Sequence, residues 1–378
     1  MNSIIENIPS TRLEPLLKAK KSQPPALEGR FEYVDPPADL NRILELSLSN
    51  AYHWRCIDLI SDAAVGVGYE TDEKSRAFLE EISQGEPFLD LLKRFAVDLE
   101  WSGNAYFEIA RDARGRIAEL YNVHSQTIWI TPNEAGNRPG GYVQNIDEAP
   151  IYFSPLGRRR GECNEMLHAR TFTPLSTFYG LPRWIAVLDT LRLDQEKKIF
   201  LASFFHNSAV PDLAVVLEGA EFDKATEDAL RCALTEMKGA DNAHRTLLMS
   251  IPFDNAKIRF EKLTADMKDL HFKELSESTD SEIIAAHGVP PRLVGMMTPG
   301  QLGGGGEVTG QLELFMETVI KPRMRFLEGQ VHRLLRAAGF HSSFALTPIN
   351  VGALTGAAEA GSQSVSQKII KSLEAELS

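Results

Sequence analysis

The chain is predicted to fold as an α+β protein, on three observations. Helical periodicity runs through residues 38–101. Period-two alternation takes over at Gly103. Two long helix patterns then bracket a small β-α-β-β insert. The 378 residues leave room for two or three domains, and a hydrophobic share of 43% is enough to build buried cores.

Residues 1–37 carry Pro9, Pro15, Pro24, Pro25, Pro36 and Pro37 with no sustained period, so they read either as an extended arm suited to lying across a neighbour or as a disordered tail. In 50–64, Trp54, Ile57 and Ile60 fall at helical spacing before Gly66 and Gly68 end the pattern. Leu92, Phe95 and Leu99 repeat it in 88–101. Residues 104–110 and 116–123 alternate around the turn Arg111-Asp112-Ala113-Arg114-Gly115, which argues a β-hairpin. Residues 127–131 and 141–145 read as further strands. Residues 38–180 therefore form an α+β domain.

Leu181-Pro182 opens a long helix over 181–206, because proline at a first helical position loses no hydrogen bond. It is apolar from Trp184 to Leu191, polar over 194–198 and apolar again to Phe205. The insert, 207–263, holds a strand at 212–217, a helix capped by Asp223 with Leu230, Leu234 and Met237 on one face, and strands at 245–251 and 257–260. Both its ends adjoin long helices, so it sits as a tip on a two-helix stalk. The second long helix, 264–288, has Thr264 as cap and Gly288 at its end. Its middle, 276–282 (SESTDSE), shows no apolar residue on any side. Such a helix is expected to face water, a partner subunit or an aqueous channel rather than its own core. Residues 289–308 form a loop with four consecutive glycines, which restrict the backbone little. A last helix, 309–340, carries the stripe Leu312, Phe315, Met316, Val319, Leu327, Val331, Leu334, Leu335 and is expected to kink at Pro322. The tail, 341–378, is rich in Ala, Gly and Ser.

The chemistry argues against an enzyme. A phosphate-binding loop needs Lys and Ser or Thr after its glycines, but Glu307 follows Gly306. No HExxH, His-x-x-x-His or GxSxG occurs, so no catalytic, cofactor or metal site is predicted. Cys56, Cys163 and Cys232 are far apart and read as small buried hydrophobes of a reducing, intracellular compartment. No apolar run reaches ~18 residues, so no membrane span is expected. A net charge of −12 excludes nucleic-acid binding by counterion release over the whole surface, and any contact with DNA must be local or weak. Glu274, Glu277 and Asp280 step at i, i+3 and i+6, with Glu282 beyond. They read either as an ordinary exposed helix face or as a channel wall that repels a passing polyanion. Arg158-Arg159-Arg160 is the one sharp basic cluster, a solvated loop or a contact for phosphate or an acidic partner.

In this order, GNAYFEIARDARGRIAELYNV, YGLPRWIAVLDTLRLDQEKKIFLASFFHNSAVPDLAVVLEG, EIIAAHGVPPRLVGM and ETVIKPRMRFLE resemble the portal proteins of tailed bacteriophages over about residues 40–340. The resemblance implies a wing over 38–180, stem helices at 181–206 and 264–288, and a clip at 207–263. It implies a tunnel loop at 289–308, with Met296, Met297, Gln301, Leu302, Gly303, Gly304, Gly305 and Gly306 at the constriction. The helix 309–340 would return toward wing and crown, and a crown would be reduced in 341–378. It further implies a non-enzymatic ring of about twelve subunits at one capsid vertex of the virion, assembled in the host cytoplasm, with double-stranded DNA passing through. Implied partners are the large terminase subunit, the head–tail connector, and the major capsid and scaffold proteins. The rivals are another phage ring, tail or baseplate protein and, from a different class, a nucleic-acid-processing enzyme.

Overall fold

The computed structural model describes residues 33–146, 149–158, 163–207, 213–218, 257–262, 272–296 and 305–350. They fall into two compact units. One comprises the described part of 192–279, the other the described residues before 192 and after 279.

In the larger unit the predicted helices form and their caps are visible. Asp39 Oδ1 accepts from the Asn41 and Arg42 amides at the start of α1 (Leu40–Ser49). Asn50 Oδ1 accepts from the His53 amide at the start of α2 (Ala51–Val65). A short strand, β1 (Gly68–Thr71), precedes α3 (Glu73–Ile82), which Asp72 caps. The next helix, α4 (Phe88–Ser102), ends on Gly103 at φ 76°, a left-handed cap.

At Gly103 the period switches as expected. β2 (Asn104–Arg111) and β3 (Ile117–Val123) form the hairpin, and β4 (Ile128–Pro132) and β5 (Pro139–Ile146) pair beyond it. Two strands that the periodicity did not signal, β6 (Ala149–Pro155) and β7 (Glu165–Arg170), complete a six-stranded sheet of order β3-β2-β7-β6-β5-β4. The β6–β7 pair is parallel, and the other four are antiparallel. Alternation sends Ala105, Phe107 and Ile109 into the main core shared with α2, α3 and α4, where Phe107 stacks on Phe95 at 4.2 Å. Tyr106, between them, enters a second cluster with Ile130, Tyr142, Phe153 and Tyr179. The described end of the proline-rich arm lies on its own chain: the Val34 amide donates to the Ile130 carbonyl, and Tyr33 meets Trp129 edge-on. Residues before 33 lie outside the described set.

The first long helix begins later than Leu181-Pro182 suggested. Leu181 lies outside any helix, since the residue before a proline is disfavoured in α, and its carbonyl accepts from Thr171 Oγ1. A 3₁₀ turn at Ile185–Val187 leads into α5 (Leu188–Asn207). Trp184, Val187, Leu191 and Ile283 close a third cluster with Leu40, Ile43, Ile57 and Trp101.

The second long helix is described as α6 (Phe272–His287), and Gly288 follows at φ 68°. The last helix starts at Gly305 rather than Thr309: α7 (Gly305–Phe315) runs through a π-helical stretch, Met316–Ile320, into α8 (Lys321–Ala337). That stretch ends two residues before Pro322, where the sequence predicts a kink. It is one way a helix accommodates the missing proline N–H. The tail contributes one strand, β10 (Phe344–Thr347), paired antiparallel with β1. Of residues 341–378, where a reduced crown was expected, 351–378 lie outside the described set.

In the smaller unit, β8 (Leu213–Glu218) and β9 (Lys257–Lys262) pair antiparallel from Leu213↔Lys262 to Glu218↔Lys257. They overlap the strands expected at 212–217 and 257–260. The helix expected at 223–237 and the strand at 245–251 lie outside the described residues.

Candidate functional site

The polar stretches of the two long helices meet each other. Asp194 and Lys197 pair at 2.8 Å with side chains only 3% and 6% exposed, and Lys198 reaches the other Asp194 oxygen at 2.6 Å. Lys197 Nζ also donates to Ser276 Oγ at 3.1 Å. One turn on, Thr279 is buried and its hydroxyl donates back to the Ser276 carbonyl at 2.9 Å. The expectation that 276–282 finds no partner in its own chain is therefore corrected. A buried ion pair and two hydroxyls replace apolar contact on that face, and apolar periodicity has no way to register such a contact.

The predicted acids lie on the rest of α6. Glu274 and Glu277 are exposed in the smaller unit's part. In the larger unit's part Glu282 is exposed and Asp280 half-buried. Met296 is half-buried and packs against the main core, and its amide donates to the Pro291 carbonyl at 3.0 Å. Gly305 and Gly306 are the first residues of α7. Met297, Gln301, Leu302, Gly303 and Gly304 lie outside the described residues. Arg158 is exposed in the β6–β7 connection, and Arg159 and Arg160 lie outside the described set.

Three polar sites were not anticipated. Buried Glu100 of α4 accepts from Arg183 before α5 and from Arg323 of α8. His53 Nδ1 lies 2.9 Å from His287 Nε2, and its Nε2 lies 3.3 Å from Ser47 Oγ. Burial, reinforced by His287, pushes His53 down to about 2. Burial and the Arg323 charge push His287 down to about 3. Both imidazoles are thus neutral near pH 7. Burial also raises the Asp98 carboxyl to about 7, against the stabilising donation of Trp101 Nε1 at 2.9 Å. The available signal for Glu100 was a lone acid inside the core-facing run Leu99-Glu100-Trp101. Its partners were not visible from spacing.

Among the described residues, no group of three or more His, Cys, Asp or Glu side chains is placed to hold a metal ion. Nor is any described helix long and apolar enough to cross a membrane.

The phage portal protein family model matches residues 52–375, from within α2 past the last described residue. The chain belongs to the phage portal protein family. An uncharacterized protein of Rickettsia bellii is 24% identical over 261 residues, 65% of each chain. The probable portal protein of Escherichia phage P2 is 21% identical over 240 residues, 62% of this chain and 66% of that one. The chain thus spans just under two thirds of the length of these curated relatives. Among solved structures, a chain of the neck of a native gene transfer agent particle, computed with C12 symmetry, aligns with a TM-score of 0.62 at 20% identity, covering 91% of this chain and 92% of that chain. An HK97 family phage portal protein from Corynebacterium diphtheriae aligns with a TM-score of 0.52 at 12% identity, covering 83% and 96%. At these identities the structural likeness establishes the portal fold of mixed helix and sheet.

Proposed function

We propose that copies of this chain form a ring at one vertex of a phage-like capsid, and that double-stranded DNA passes through its centre during packaging and ejection. The observation that carries this reading is the family match over residues 52–375, which takes in the sheet, both long helices and the segment between them. The ring has about twelve subunits, in keeping with the C12 symmetry of the similar gene transfer agent neck. In this reading 38–180 is the wing, 181–206 and 264–288 the stem, 207–263 the clip and 289–308 the tunnel loop. The clip meets the large terminase subunit and later the head–tail connector, and the wing meets the major capsid and scaffold proteins. The ring assembles in the host cytoplasm, ends in the virion and performs no chemistry.

The exposed acids support a channel-facing stem. Glu274, Glu277 and Glu282 are on the surface of α6, where like charge keeps phosphates from sticking and so favours passage. Met296, Met297, Gln301 and Leu302 beside Gly303, Gly304, Gly305 and Gly306 give a constriction that is soft, uncharged and able to shift. Negative-stain imaging with mass photometry of the purified chain, and of particles containing it, tests the proposal. Rings with a stain-filled centre and about twelve subunits are expected. Monomers in solution together with particles that lack a ring of this chain would overturn it.

A further inference from the structure

Four arginines converge on one recess of the larger unit. Arg138 precedes β5, Arg158 follows β6, Arg170 ends β7 and Arg333 lies on α8. With Tyr142 and Phe326 they line a cavity of about 390 Å³. Their hydrogen bonds are to neutral acceptors. Arg333 Nη1 donates to the His168 carbonyl at 3.1 Å and to Gln330 Oε1 at 2.6 Å, and Arg170 Nη1 donates to the Phe178 carbonyl at 3.4 Å. Among the described residues no carboxylate lines the recess and no ion pair engages any of the four. By contrast Arg111, Arg183 and Arg323, in the same unit, are each paired with an acid. Among the described residues, folding therefore gathers four like charges without a counter-charge, in a chain whose net charge is −12. The neighbouring His168 is buried and held neutral, first by burial and then by Arg170 and Arg333.

Guanidinium groups from four segments around one concavity match an oxyanion that projects into it, with several donors reaching the same group. Part of the wall is apolar: Pro139 and Pro155 join Tyr142 and Phe326. A duplex presents its phosphates on the outside of a convex backbone, with the sugar carbons set back behind them, and so brings little apolar surface into a concave wall. A Glu or Asp side chain brings both a carboxylate and methylene groups. We propose that this recess is a docking pocket for the carboxylate side chains of an acidic protein segment.

The test uses the full chain and fluorescein-labelled hexaglutamate as probe, followed by anisotropy at 0.15 M salt. Arg138 and Arg158 are exposed and make no side-chain hydrogen bond among those described, so Arg138→Glu/Arg158→Glu removes two donors at little risk to the fold. The double variant should bind about 100-fold more weakly, roughly tenfold per lost charged contact. The control Lys74→Glu/Arg114→Glu changes net charge equally on exposed sites elsewhere and should bind within about twofold of the unaltered chain. If circular dichroism shows that the double variant is unfolded, the single changes Arg138→Gln and Arg158→Gln replace it, each expected to weaken binding about tenfold. No binding to the unaltered chain, or equal binding by the two double variants, overturns the proposal. So does a short DNA duplex that binds more tightly than hexaglutamate and loses its binding in the Arg138/Arg158 variant, because the pocket would then be a phosphate site.

Discussion

Replacing Glu100 with glutamine should destabilise the larger unit by about 3–5 kcal/mol. Glu100 is 4% exposed. Its side chain accepts from Arg183 Nη1 at 2.8 Å and from Arg323 Nε at 2.9 Å and Nη2 at 3.1 Å. Its backbone carbonyl accepts from Trp184 Nε1 at 3.0 Å, so one residue ties the turn before α5 and the start of α8 to α4. Charge-assisted hydrogen bonds are worth about 1.5–3 kcal/mol each, and desolvating three charges offsets most of that sum. The intact cluster is therefore close to neutral, but its broken form is not. Glutamine keeps the size and removes the charge, leaving Arg323, 12% exposed, without a counter-ion. Arg183 is 38% exposed and can turn to water, so Arg183→Met should cost about 1 kcal/mol or less. Urea unfolding followed by the fluorescence of buried Trp101 and Trp184 measures all three variants. Glu100→Gln and Arg323→Met should lose several times more than Arg183→Met. The Glu100/Arg323 double change should fall well short of the sum of the singles, because it removes both charges at once. A Glu100→Gln loss under about 1 kcal/mol, or strict additivity, would refute the argument from a stranded buried charge.

The buried histidine pair predicts acid sensitivity. Unfolded histidine takes up a proton near pH 6.5, whereas His53 and His287 stay neutral until about 2 and 3, so each costs about 1.4 kcal/mol of stability per pH unit below 6.5. Asp98, raised to about 7, opposes this, because its contribution is present below its unfolded value and is lost as pH rises through 7. His287→Gln should therefore reduce the fall in unfolding free energy between pH 6 and 4.5 by about 1.4 kcal/mol per unit, and an unchanged slope in urea titrations counts against the assignment. Gly103→Ala should cost at least about 3 kcal/mol, since φ is 76° and a Cβ would lie 2.2 Å from the Leu181 carbonyl carbon. Gly115→Ala, at φ 79° with open space around it, should cost only about 1 kcal/mol, and melting temperatures distinguish the two. Asp194→Asn strands Lys197 and should speed amide exchange in α5 and α6 about 100-fold or more, whereas Lys198→Met, at a half-exposed partner, should change it little. Gly304→Trp should leave ring formation intact and sharply lower DNA packaging, measured as nuclease-protected DNA per particle.

The helices α1, α2 and α4, the hairpin β2–β3 and the switch at Gly103 were legible in the sequence, because each writes its own period and its own stop signal into consecutive residues. Family membership was legible for the same reason, in ordered local segments from GNAYFEIA to ETVIKPRMRFLE. β6 and β7 were not, since their period is short and broken by the Arg158 loop. The start of α5 was not legible, because the Leu181 carbonyl is taken up by Thr171, a residue in a different segment. The acids of α6 were found by spacing, but the partner of its polar middle was not. Spacing along one helix reports which residues share a face, and says nothing of what a second helix offers in return. Asp194 and Lys197 against Ser276, Glu100 against residues 83 and 223 positions away, and four arginines from separate segments around one recess exist only once the chain is folded. Apolar burial is additive along a segment and leaves a periodic trace, whereas a polar contact depends on two particular groups meeting at hydrogen-bond distance, which only the tertiary structure decides.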